Sequence, residues 1–230
     1  MLFNKTFRFA LILCLGVSFL LTFSATSLRP LQDENKRIDR QKNVLKALGL
    51  LDASKKYGMS DIDRLFTASV QNRYVTADGR LLSSQEEGSN PVFIYIEEGR
   101  VKAYVLPISG YGLWSTLYGY LALEGDGDTV RGITFYEHGE TPGLGGECEA
   151  EWFQKNFVGK KITNAMGAFV SVEIVKGKVK DLIPSEKQAN YVDGISGATI
   201  TCRGMNTFLR SDLAKYEALS KRLRNGESVL

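Results

Sequence analysis

The segment 193–202, DGISGATITC, places three hydroxyl side chains in a short run that contains two glycines. A hydroxyl at such a turn can cap a helix, act as a nucleophile or accept a covalent group. Ser196 and Thr199 come just before a helical pattern that starts near Thr201, so either is expected as the N-cap. The N–H groups at a helix start would also favour a nearby phosphate. From the residues alone, the cap is the favoured interpretation.

A second segment with chemical potential is 137–149, EHGETPGLGGECE, which holds four glycines and a proline. This composition predicts a loop rather than regular structure. Glycines let a backbone approach a flat or phosphorylated ligand closely. The spacing matches neither a P-loop nor a dinucleotide-binding motif. Ligand contact and a plain connection are equally compatible with the pattern.

Composition excludes several classes of function. The chain has 29 basic and 26 acidic residues, with a net charge of +3, which is too balanced to indicate nucleic-acid binding. Three cysteines without a CxxC pair predict neither a disulfide scaffold nor a metal centre. A single histidine, His138, disfavours a catalytic triad.

The N-terminal residues 9–28 form an uncharged, mostly apolar run, long enough for a helix to cross a bilayer. We predict a retained membrane anchor; a cleaved signal peptide is the alternative. More basic residues follow the run than precede it, which would place the remaining chain in the cytoplasm. That rule is weak for long domains.

The elements that must position these segments are predicted from periodicity. Helical patterns and strand–turn–strand patterns are found at separate places along the chain, which is typical of an α+β fold. The helices are expected at 31–57, 150–158 and 201–223, with Gly49 and Gly58 as stops for the first. Three hairpins are expected at 92–108, 112–138 and 168–183, the last turning at 176–178. Together they predict one twisted antiparallel sheet with flanking helices.

Three segments resemble known families. DGISGAT is similar to the flavinylation motif of FMN-binding domains, Asp-x-x-Ser/Thr-Gly-Ala-Thr. GYGLWSTLYGYLALE (110–124) and GETPGLGGE (139–147) resemble the C subunits of the sodium-translocating NADH:quinone oxidoreductase, and so does the N-terminal half. The motif alone does not separate these subunits from the G subunits of the related Rnf complex. A third alternative is a flavin-free, membrane-tethered interaction domain in which the motif only caps a helix.

The resemblance implies a covalent cofactor. In the family, an FAD-dependent FMN transferase esterifies FMN through its phosphate to the last threonine of the motif, here Thr199. The cofactor-binding residues that it implies are Asp193, Ser196, Gly197, Ala198 and Thr199 from the motif, with Thr141, Leu144 and Gly145 from the second segment. The chain would then be an electron-transfer subunit of the complex that couples NADH oxidation by ubiquinone to sodium export. Its partners would be the other subunits, the membrane and the transferase, and no nucleic acid.

The family likeness also implies a topology in the bacterial inner membrane. Residues 1–8 would be cytoplasmic, 9–28 would span the membrane, 29–60 would form a stalk helix and 61–230 a periplasmic FMN-binding domain.

Five further residues have two interpretations each. We expect Thr201 to cap the helix rather than to accept FMN, and Trp114 to pack in the core rather than to stack on flavin. His138 is expected to be a polar loop residue, with proton transfer near the flavin as the alternative. Cys148 and Cys202 each follow a flavin segment, and could form a disulfide or remain two thiols.

Overall fold

The computed structural model describes residues 4–52 and 54–227. It divides into two compact units, one up to Arg40 and one from Gln41 onward. Helix α1, Lys5–Ala47, contains the apolar run and has the length and composition of a membrane span. Pro30 lies inside this helix, and the apolar run and the charged residues after it form one continuous element.

The predicted stalk boundary at residue 60 is wrong, because α1 ends at Ala47. Gly49 has φ +68° and its N–H donates to Lys46 O, which closes the last turn with a left-handed residue. Leu45 and Leu48 are fully buried, and the Arg131 side chain donates to Leu48 O. The end of α1 is therefore part of the second compact unit.

Helix α2, Met59–Ser69, was not predicted. Gly58, expected to stop a helix, instead starts this one, and its N–H donates to the Asp61 side chain. Ile62 and Phe66 are buried one turn apart, which holds α2 against the rest of its unit.

A six-stranded antiparallel sheet forms the centre of the second unit. Its strands are β1 Val70–Val75, β2 Leu81–Leu82, β3 Asn90–Glu97, β4 Arg100–Tyr111, β5 Thr116–Glu124 and β6 Val130–Glu137, in the order β2-β1-β3-β4-β5-β6. The hairpins predicted at 92–108 and 112–138 are confirmed as β3–β4 and β5–β6. The turn between β4 and β5 is the GLW segment, closed by a bond from Gly112 N–H to Ser115 O.

The third predicted hairpin, at 168–183, is wrong. This region has a two-residue strand β7, Glu173–Ile174, and a short helix α4, Val179–Leu182. Strand β7 pairs in parallel with β8, Tyr191–Val192. The return strand does not form because the chain after Gly177 folds into a helical turn whose first N–H donates to Asp193.

Helices complete the unit. Helix α3 is Glu151–Lys155, shorter than the predicted 150–158. The helix predicted at 201–223 is two helices, α5 Thr199–Ala214 and α6 Glu217–Arg224. Helix α5 lies directly on β4, since a Cβ on Gly204 would come within 2.2 Å of Tyr111 O. This close approach places the start of α5 beside the β4–β5 turn. The α+β class with an antiparallel sheet and flanking helices is confirmed.

Candidate functional site

Thr199 is the first residue of α5, and its side chain is exposed. The N-cap is Ala198, so no side chain caps the helix, and the prediction that Ser196 or Thr199 does so is wrong. Gly197 has φ +75°, a left-handed conformation that a glycine adopts without strain. The helix thus starts with N–H groups that no side chain caps, and its positive dipole end lies next to an accessible hydroxyl.

Thr201 does not cap α5 either. Its side chain is 1% exposed, and its hydroxyl donates to Glu140 Oε2 at 2.6 Å. The hydroxyl is therefore committed to a buried partner, while that of Thr199 is accessible.

Glu140 is the residue that joins the candidate segments, and sequence analysis missed it. Its Oε1 accepts hydrogen bonds from the backbone N–H groups of Leu113 at 3.0 Å, Trp114 at 2.8 Å and Ser115 at 3.3 Å. Burial of this carboxyl would raise its pKa, but the bonds from Thr201 and the three N–H groups outweigh burial and lower the pKa below its usual value. Glu140 is therefore ionised at neutral pH. The sequence signal that could have identified Glu140 is a carboxylate inside a glycine-rich loop.

The 139–147 loop packs against the motif, as the interpretation of this loop as a flavin-contacting segment expects. A Cβ on Gly197 would lie 2.7 Å from Leu144 Cδ2. Gly145 is buried, and a Cβ there would come within 2.7 Å of Thr201 Oγ1. The carbonyl of Thr141 accepts bonds from the N–H groups of Leu144 and Gly146, which closes the loop on itself. The loop is thus fixed at the start of α5.

The segments that meet here carry exposed apolar side chains. Trp114 is 65% exposed, so its predicted packing in the core is wrong. Leu113, Leu144 and Ile200 are also exposed. Trp114 lies on a tight β-turn that Glu140 holds from beneath, which keeps its ring out of the core. Such a group of apolar side chains around a polar centre can cover a planar aromatic ligand.

A cavity of about 780 Å³ opens beside the motif. Ser196, Gly197 and Thr199 line it, together with residues 173–178, residues of α5, and Gly143, Glu147 and Trp152. Ala198 is buried beneath the turn. Asp193 does not line the cavity; it bonds to Lys178 and to the backbone of Val179 instead. Thr141, Leu144 and Gly145 lie outside the lining, although their loop reaches the cavity through Gly143 and Glu147.

Of the two cysteines and the histidine singled out by sequence analysis, one residue lines this cavity. Cys202 lines it, whereas Cys148 does not. Both are free, buried thiols in the same core; burial raises the pKa of Cys148 to about 12 and raises that of Cys202 as well. The disulfide between them stays a prediction. His138 Nδ1 accepts a hydrogen bond from Glu140 N–H, and its Nε2 lies 3.1 Å from a Glu149 oxygen without hydrogen-bond geometry. His138 is outside the cavity lining.

Comparison with known proteins gives a family match that covers these segments. The FMN-binding domain family matches residues 112–214, which begin at the GLW turn and end with α5. The C subunit of the Na(+)-translocating NADH-quinone reductase from Pseudomonas aeruginosa is 34% identical, over 98% of this chain and 97% of that protein.

Two solved structures have the same fold. One is the C subunit of the Na(+)-translocating NADH-quinone reductase from Parabacteroides distasonis, with a TM-score of 0.72 and 29% identity over 84% of this chain and 96% of the other. The second is NqrC from Shewanella oneidensis, with a TM-score of 0.68 and 25% identity over 83% and 99% of the two chains. The chain described here belongs to the family of C subunits of the Na(+)-translocating NADH-quinone reductase.

Proposed function

We propose that this chain is a membrane-anchored electron-transfer subunit that carries FMN through a phosphoester to Thr199. One observation supports the acceptor assignment above all. Thr199 is the exposed hydroxyl at an uncapped helix start and it lines a large cavity, whereas the neighbouring hydroxyl of Thr201 is buried and bonded to Glu140.

The residues present fit this cofactor. A cavity of about 780 Å³ is within the usual range for sites that hold ligands of this size. The phosphate would lie at the positive end of α5, where N–H groups without a side-chain cap favour an anion. Trp152 lines the cavity and is 46% exposed, so its ring is available to cover an isoalloxazine ring. Leu113, Trp114 and Leu144 do not line the cavity, but they are exposed on segments that pack beside the motif and can cover a ring that extends beyond it.

The attachment is a phosphoryl transfer from FAD to the Thr199 hydroxyl. Thr199 Oγ forms a bond to the phosphorus of the FMN half of FAD, the pyrophosphate P–O bond breaks, AMP leaves, and the hydroxyl proton is released. A separate transferase supplies the catalysis. When bound, FMN supplies reversible electron transfer, and the chain supplies the position of the ring.

The chain's own residues have distinct parts in this proposal. Ser196 and Gly197 border the phosphate, and Ala198 holds the turn from its buried side. Thr141, Leu144 and Gly145 belong to the loop that packs against the turn, with Leu144 against Gly197.

The relatives are named as subunits of a reductase, which supports assigning this chain to such a complex. We place the chain in a complex that couples NADH oxidation by ubiquinone to sodium export, with the other subunits as partners. The first residues would be cytoplasmic, 9–28 would cross the inner membrane, and the unit that begins at Gln41 would be periplasmic. The relatives are C subunits of this reductase, which favours it over the Rnf complex.

A functional test compares two variants of one helix in the assembled complex. With Thr199→Val, we expect native membranes to lose quinone reduction by NADH and the coupled sodium uptake into inverted vesicles. Thr207→Val changes an exposed threonine of α5 outside the motif and should retain both. Full quinone reduction by an assembled Thr199→Val complex would contradict the proposed function, and would favour a flavin-free interaction domain.

A further inference from the structure

The first residue of the motif, Asp193, lies away from the cavity where the motif threonine is exposed. Both of its carboxylate oxygens have partners. Oδ1 accepts the N–H of Val179 at 2.7 Å, and Oδ2 accepts the Lys178 ammonium at 3.0 Å. Because both oxygens are engaged, Asp193 is poorly placed to take the proton of Thr199. Its partner Lys178, in contrast, does line the cavity.

The turn that carries Lys178 is fixed to the motif through the backbone. Gly194 N–H donates to Gly177 O at 2.8 Å. A Cβ on Gly194 would come within 2.2 Å of Val175 O, so the two segments are in direct contact. Gly177 has φ +123°, a conformation that glycine adopts without strain, and this conformation lets the chain reverse direction.

The same turn is also tied to the helix of Thr199. The Asn206 side chain on α5 accepts the N–H of Ile174 at 2.7 Å and donates to its carbonyl at 2.9 Å. Strand β7, which ends at Ile174, leads directly into the Lys178 turn. The turn that carries Lys178 is therefore fixed relative to Thr199 at two points, Gly177 and Ile174.

The charges around the cavity distinguish Lys178 from its neighbours. Lys176 and Arg203 also line it, and within the described residues neither has an ion-pair partner. Glu147 and Glu173 lie in the same lining and offset part of this positive charge. Lys178 differs because its ammonium is held by a half-buried carboxylate while 57% of its side chain stays exposed.

We propose that Asp193 is a positioning residue that holds the Lys178 ammonium at the cavity, where Lys178 binds the phosphates of the flavin nucleotide during transfer to Thr199. This inference rests on the proposed function. A pyrophosphate ester brings two negative charges to the cavity, and a held ammonium binds them with less loss of side-chain entropy than a free one. The role of the motif aspartate is then to orient a cation outside the motif.

The test measures how fast the chain is flavinylated. Full-length protein is purified in detergent from a host without transferase, then incubated with FAD and purified transferase, and covalent FMN is followed by intact mass. We expect Lys178→Gln and Asp193→Asn each to lower kcat/KM for the chain about tenfold or more. The double variant should be no slower than the slower single variant, because both act through one group. Lys178→Arg should restore most of the rate.

Lys176→Gln is the matched control, since it removes the same charge from the same lining two residues away. It should stay within about threefold of the unmodified chain. The urea midpoint of Lys178→Gln should be unchanged, because a half-exposed ion pair contributes little stability.

Two results would overturn the inference. One is a Lys178→Gln chain that is flavinylated at the normal rate, whatever Asp193→Asn does. The other is an equal loss in Lys176→Gln, which would show that only the summed charge matters. Absence of covalent FMN from the unmodified chain is a different result, because it refutes the proposed function itself.

Discussion

Removal of the Glu140 carboxylate should lower the free energy of unfolding, because this group joins the segments of the site through hydrogen bonds. Glu140→Ala leaves the Thr201 hydroxyl, 1% exposed, without its partner, which costs about 1–3 kcal/mol. The N–H groups of 113–115 also lose their acceptor, but water can reach this exposed turn, so they add roughly a few tenths of a kcal/mol each. The expected loss is about 3 kcal/mol. Glu140→Gln keeps an acceptor and loses only the charge, so about 1 kcal/mol is expected.

Urea unfolding of the full-length chain in detergent measures these losses. With a slope of about 2–3 kcal/mol/M, Glu140→Ala should lower the midpoint by roughly 1 M or more. The emission of Trp114, which lies in the affected turn, should also change in the folded state. Glu137→Ala removes an exposed carboxylate nearby and serves as the control. A Glu140→Ala chain within about 0.5 kcal/mol of its parent would refute the role of this carboxylate.

Three further predictions concern pH, packing and topology. Burial would raise the pKa of Glu140 and of Asp193, but hydrogen bonds outweigh burial and lower both pKa values in the folded state. The stabilisation from these two carboxylates is therefore complete above their unfolded pKa values and is lost as the pH falls through their folded pKa values. The free energy of unfolding should decline below about pH 4.5, and it should decline less steeply in Glu140→Gln. Gly204→Ala should lower the free energy of unfolding in urea by about 1–3 kcal/mol, because the new methyl group would clash with Tyr111 O. Thr207→Ala, on the exposed face of α5, should leave the free energy of unfolding almost unchanged. Protease added to intact spheroplasts should digest the soluble unit; full protection, while a known periplasmic protein is cut, would invert the topology.

Local sequence patterns were sufficient for much of the sheet. Two hairpins follow from alternating strands around Glu98-Gly99 and around 125–128, because these turn residues reverse the chain by themselves. The hairpin at 168–183 failed because a distant residue, Asp193, holds Val179 at the start of a helical turn. No local pattern carries that contact.

For the candidate site, sequence reasoning selects residues where a motif is contiguous. The resemblance of 193–199 selected Thr199, and the structure places this residue at a helix start. Glu140 and Thr201 were missed or misassigned because their bond joins residues 61 positions apart. Trp114 was expected in the core because aromatic residues usually are buried, and a turn held by Glu140 exposes it instead.

The mass of the denatured chain tests the central claim most directly. Protein from the native host should carry one covalent FMN, seen as added mass and as fluorescence in a denaturing gel. Thr199→Val should lose both and remain folded, since the substitution keeps the shape and removes only an exposed hydroxyl. An unmodified chain without the added mass, or a Thr199→Val chain that still carries FMN, would contradict the assignment of Thr199 as the flavin acceptor.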